Sequence, residues 1–216
     1  ILLFAILIAI VYLLGPSPDT PVYDQQFPEL NLTGVELKKM VDSSEGSRKV
    51  KPDNEARIIW DNDSLKNKTE WAVVYLHGFS ASQMEGDPVH RNFAAGIGAN
   101  LYLTRMAEHG LDTTEVLLNL TPDKYWESAK KALAIGQALG EKVILMGTST
   151  GGTNALQLAA AYPDKVNALI LMSPNIAIND DNAWLLNDRW GLQVARLVKG
   201  SDYMQSSDQR EVYKIY

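Results

Sequence analysis

The chemistry in this chain centres on Ser149. It stands in Gly147-Thr148-Ser149-Thr150-Gly151, between the apolar run that follows Lys142 and an alanine-rich helical pattern from Asn154 to Tyr162. Its hydroxyl is therefore expected where a strand turns into a helix. Glycine two residues before and two after permits that bend, because larger side chains would collide across it. A hydroxyl held in this way is suited to attack on an acyl carbon, provided a base takes its proton. The imidazole candidates are His77, His90 and His109, and all three precede the serine; residues 150–216 contain no histidine. The absence of cysteine excludes a thiol nucleophile, a disulfide and a thiolate metal site. A glycine-flanked serine can also be a plain helix-capping loop. However, Gly147-x-x-x-Gly151-Gly152 lacks the spacing of a dinucleotide loop, and no lysine follows as a phosphate-binding loop requires.

The surrounding elements must put that serine at a strand end. Ala56–Trp60 and Trp71–Leu76 read as strands, the second apolar enough to be buried on both faces, and it runs into His77-Gly78-Phe79-Ser80. Asp87-Pro88 starts a helix with Val89, Phe93, Ala94 and Ile97 on one side, and Asn100–Thr104 is the next strand. Thr121-Pro122 opens a helix carrying Tyr125, Ala129, Ala132, Leu133 and Leu139, closed at Gly140. After the serine-bearing turn and its helix, Val166–Met172 is a further strand, ended by Ser173-Pro174. Alternation of this kind implies right-handed crossovers and a parallel sheet with its loops gathered at the strands' carboxyl ends.

With these pieces in order, the chain resembles the α/β-hydrolase family, and within it the small esterases and monoacylglycerol-lipase-like members. Three groups carry the resemblance between about Trp71 and Pro174: His77-Gly78-Phe79, the Arg105–Gly110 stretch and the Gly147–Gly152 turn. The resemblance implies a mostly parallel sheet with helices on both faces, Ser149 as nucleophile, and the backbone N–H groups of Phe79 and Thr150 as the oxyanion hole. It departs from its relatives at Ala107 and Glu108, where they have Gly-His-Gly geometry. His77 is assigned a hydrogen-bonding role in the oxyanion loop, His90 a place on a helix face and His109 one in a turn. The family order is serine, then acid, then histidine. Asp180 and Asp181 are read as ordinary loop charges, so neither the acid nor the base is found in this chain, which is read as a segment lacking the last strands.

Residues 1–14 are apolar and uncharged, and are expected to be a membrane anchor or signal segment. Residues 15–55 read as a proline-punctuated spacer, a short helix from a Thr33–Glu36 capping box to about Val41, and a polar loop; 56–178 as the partial hydrolase core; and 179–216 as the start of a helical cap. In the cap, Leu186, Trp190, Val194 and Leu197 recur at helical spacing, and Trp184 and Trp190, with Phe79, are expected to line an apolar substrate site. Tyr203, Met204, Tyr213 and Tyr216 are assigned to the same segment. A net charge of −6, without a basic cluster, excludes nucleic acid as a partner. The expectation is a membrane-anchored serine hydrolase on the exported side, secreted if the segment is cleaved, acting on a small ester without metal or cofactor. A peptidase or thioesterase of the same fold, or a non-catalytic binding module, is the alternative.

Overall fold

The computed structural model describes residues 2–200, which fall into two units. The larger runs from Val22 to Ile176 and is built on a five-stranded sheet. Its strands are β1 (Arg57–Ile59), β2 (Thr69–Leu76), β3 (Asn100–Leu103), β4 (Gly140–Thr148) and β5 (Ala168–Met172), in the spatial order β1-β3-β2-β4-β5. The last four are mutually parallel, and β1 runs antiparallel to β3 at the edge.

Side-chain alternation divides the core into two layers. Ala72, Val74 and Leu76 of β2 join Val143 and Leu145 of β4 on one face, under helices α2 (Gly34–Gly46), α4 (Pro122–Leu139) and α5 (Thr150–Ala161). Val73, Tyr75, Ile144 and Met146 face the other way, toward Ala94 of helix α3 (Val89–Gly96). The sheet thus carries helices on both faces. Complete burial of Leu133, Ile135 and Leu139 of α4 contributes about 1.5–3 kcal/mol each.

Helix starts follow local chemistry where a cap forms. Thr121 accepts the Lys124 N–H at 3.2 Å and Pro122 occupies the first turn, as the sequence implies. At α2 the Thr33 side chain makes no capping bond, and the helix continues to Gly46, through residues expected to be loop. Burial of Leu37 and Val41 and the docking of Glu45 onto Arg105 extend it. Asp87 pairs with Arg91 (2.8 Å) and does not cap α3, for which Pro88 stands just before the first turn.

The second half of the expected spacer is fixed to the core. Asp123 accepts the N–H groups of Val22 and Tyr23 (both 2.8 Å), the Trp126 indole donates to Asp24 O (2.8 Å), and the buried Lys130 ammonium donates to the Asp24 and Gln26 carbonyls (2.8 and 2.9 Å). Phe27 closes this strap edge-on against Tyr162.

The smaller unit joins the N-terminal residues up to Pro21 with the stretch from Ala177. It contains α1 (Leu2–Leu13), a 3-10 turn at Ala183–Asn187 and α6 (Gly191–Lys199). Tyr12 donates to Asp188 (2.7 Å) and Trp190 N to Pro16 O (2.9 Å), so the stretch expected as a cap is tied to the N-terminal segment. A membrane-spanning helix is not found: no helix among the described residues is long and apolar enough to cross a membrane. The 12 residues of α1 extend about 18 Å, against about 30 Å of hydrocarbon. Tyr203, Met204, Tyr213 and Tyr216 lie outside the described residues.

Candidate functional site

Ser149 occupies the single residue between β4 and α5, with φ 51° and ψ −119°. A non-glycine residue at this combination is strained by about 1–3 kcal/mol, and it persists only where its surroundings leave no alternative. Those surroundings are specific. Ser149 N donates to Met172 O (3.0 Å), and Ser149 O accepts from the N–H groups of Thr153 and Asn175 (both 3.1 Å). A Cβ at Gly147 would lie 2.6 Å from the Gly151 carbonyl carbon, and one at Gly151 would lie 2.0 Å from Leu76 O. Neither glycine has a positive φ, so each is required for close approach alone.

The His77–Ser80 loop lies against this turn. A side-chain carbon placed on Gly78 would sit 3.3 Å from Ser149 Cβ and 2.9 Å from Glu85 Oε1. Glu85 Oε2 accepts the Gly78 N–H at 2.8 Å and the Tyr75 hydroxyl at 3.1 Å. Because that hydroxyl proton is used, the Thr148 hydroxyl is the donor in its 3.0 Å contact with Tyr75. On the other side, Ser80 N donates to His109 Nε2 at 3.0 Å. The Phe79 N–H therefore lies between two amides that are each already bonded to a side chain, and the half-exposed Phe79 ring meets His109 edge-on. Thr150 opens α5, where backbone N–H groups are left without helical partners and the helix dipole is positive. The Thr150 hydroxyl contacts the Tyr125 hydroxyl at 3.3 Å.

All three histidines have settled tautomers or partners. His77 Nε2 accepts from Met106 N (3.0 Å), so Nδ1 carries the proton and donates to Gly78 O (2.9 Å). Burial, and then the neighbouring His109, pull its pKa down to about 3. His109 accepts at Nε2 and donates from Nδ1 to Ala107 O (2.8 Å), and burial lowers its pKa as well. His90 is fully buried, bonds Gln83 O through Nε2 (2.8 Å), packs edge-on against Tyr75 and is likewise lowered by burial. His77 thus holds the loop that follows β2, and His109 is more than a turn residue, because it receives an N–H of that same loop.

The remaining sequence-derived residues belong to the smaller unit. Asp180 accepts the Asn182 N–H (2.7 Å) in its own turn, and Asp181 is exposed. Trp184 is exposed, and the Trp190 indole packs on Gly15 and donates to Val11 O (3.1 Å). Glu85 escaped the sequence reading because nothing in the local sequence marks which amide its carboxylate will meet. Ser82 does accept locally, from Met84 N, but the carboxylate reaches back to Gly78.

Residues 121–210 match the family described as alpha/beta hydrolase fold. Over 104 residues the chain is 28% identical to the 2-hydroxy-6-oxo-6-phenylhexa-2,4-dienoate hydrolase of Comamonas testosteroni, covering 48% of this chain and 36% of that protein. It is equally similar, with the same coverage, to the 2-hydroxy-6-oxononadienedioate/2-hydroxy-6-oxononatrienedioate hydrolase of the same organism. The matched part spans about a third of the length of these relatives, 36%. A solved structure from work on two metagenome-derived lipolytic enzymes, LipS and LipT, shares the fold at a TM-score of 0.53 and 17% identity, over 62% of this chain and 51% of that one. The parallel sheet, the glycine-flanked serine turn and the match over residues 121–210 together give this chain the alpha/beta hydrolase fold.

Proposed function

We propose that this chain carries the nucleophile and oxyanion site of a serine hydrolase acting on carboxylic esters. The observation that carries the reading is the strained Ser149 backbone at the amino end of α5, with Gly78 against its side chain. In the reaction, Ser149 Oγ bonds to the acyl carbon and the carbonyl electron pair moves onto oxygen. The N–H groups of Phe79 and Thr150 stabilise that negative charge. The serine proton passes through a base to the departing alcohol, leaving an acyl-serine. Water then adds to the acyl carbon, releases the acid and returns a proton to Ser149. The base is none of His77, His90 and His109, whose rings are held in other hydrogen bonds. The half-exposed Phe79 ring beside Gly78 favours an apolar group on the substrate.

Fluorophosphonate labelling of the natural protein tests this, read separately in membrane and soluble fractions because α1 exposes its apolar side chains throughout. Labelling that disappears in Ser149→Ala is expected, with the labelled protein in the membrane fraction. Persistent labelling in Ser149→Ala would remove Ser149 as nucleophile, and label confined to the soluble fraction would remove the membrane attachment.

A further inference from the structure

One charged group at the site has no place in the mechanism above. Glu85 lies outside the sheet, on the 3-10 turn Gln83–Gly86, and no lysine or arginine pairs with its carboxylate among the described residues. A capping role for its own turn would have it accept the Ser82 N–H, yet Oε2 accepts from Gly78 N and Tyr75 Oη instead. Tyr75 is fully buried in β2, and its hydroxyl in turn receives the Thr148 hydroxyl. A continuous chain of three hydrogen bonds therefore runs from Thr148, the residue before the nucleophile, to Gly78, the residue before the proposed oxyanion donor.

We propose that Glu85 is a positioning residue, which sets the Phe79 N–H relative to Ser149 by holding Gly78 N–H and Tyr75 Oη on one carboxylate oxygen. This rests on the assignment of Ser149 and Phe79 given above. The geometry makes the role specific. The Gly78 backbone is in close approach to both partners, since a Cβ there would lie within 3.3 Å of Ser149 Cβ and of both Glu85 oxygens, and its amide donates to one of those oxygens. His109 fixes the next amide but one, at Ser80, and the two acceptors together leave the Phe79 peptide little freedom to turn. Hydrogen bonds to a charged acceptor are about twice as strong as neutral ones, which suits a carboxylate to this task. The task itself needs only an acceptor, so a carboxamide oxygen in the same place should serve.

The test compares Glu85→Ala and Glu85→Gln with the parent in the natural full-length protein, by fluorophosphonate labelling rate and by amide hydrogen exchange over His77–Ala81. Glu85→Ala should label about 10- to 100-fold more slowly, the scale on which misplaced catalytic geometry is felt. It should also exchange faster in His77–Ala81, with exchange in β4 and α4 unchanged. Glu85→Gln should restore both readouts to near the parent. Parental exchange in Glu85→Ala, or Glu85→Gln as impaired as Glu85→Ala, overturns the positioning role. An unlabelled parent with the exchange pattern above would refute the esterase reading while leaving Glu85 as the residue that sets the loop.

Discussion

At the scale of single residues, the site is governed by close approach. Gly151 is the sharpest case: a methyl group there would fall 2.0 Å from Leu76 O, between the end of β2 and the first turn of α5. Gly151→Ala should therefore force the two apart, cost about 3 kcal/mol of stability and abolish phosphonate labelling. Thermal unfolding and labelling of the same sample measure both, and a stable, labelled variant would contradict this account. The need for glycine at 147 and 151 was legible in the sequence, because the motif has one steric cause and that cause is local. The roles of Glu85 and His109 were not. Each accepts an N–H of a loop distant in sequence, and neither the polar Ser80–Glu85 stretch nor the Arg105–Gly110 turn says which amide its side chains will meet.

Among the elements, those with punctuated ends were readable and those set by distant contacts were not. α4 begins after Thr121 and ends at Leu139, as its cap, its proline and Gly140 imply. β1 was recognisable as a strand, but its antiparallel pairing of Arg57–Ile59 with Leu101–Leu103 depends on a partner more than forty residues away. The strap from Val22 to Phe27 reads as a polar spacer in isolation and is held by α4 and by Tyr162 and Lys165 just after α5, with hydrogen-bond partners 100 to 137 residues later. Lys130 is its centre, fully buried, with Glu127 at 2.7 Å and two strap carbonyls as acceptors. Lys130→Met keeps the aliphatic stem but takes the ammonium from the Gln26 carbonyl and from the Asp24 carbonyl, which keeps only the Trp126 indole. It should destabilise the fold by about 3 kcal/mol, seen as a lower urea midpoint, with hydrogen exchange accelerated first in residues 22–27.

For the molecule as a whole, the alternation of strand and helix announced an α/β sheet, while the order β1-β3-β2-β4-β5 and the joining of α1 to the stretch after Ala177 required coordinates. The buried histidines give the fold a pH signature. Above about pH 6.5 His77 is neutral in both the folded and the unfolded chain. Below it the unfolded chain binds a proton that the folded chain, with its pKa near 3, refuses. Stability should fall with acid through that window by about 1.4 kcal/mol per pH unit for each such proton, and level off near pH 3. His90 and His109 act in the same direction. Urea midpoints between pH 7 and pH 4 measure the slope, and a flat profile would mean that the rings accept protons in the fold. The strap has a further consequence. Its first anchored atom is the Val22 N–H on Asp123, at the residue where the larger unit begins. A chain cut just before Val22 therefore keeps every one of the strap's hydrogen bonds to α4, so the larger unit can be prepared and measured by itself.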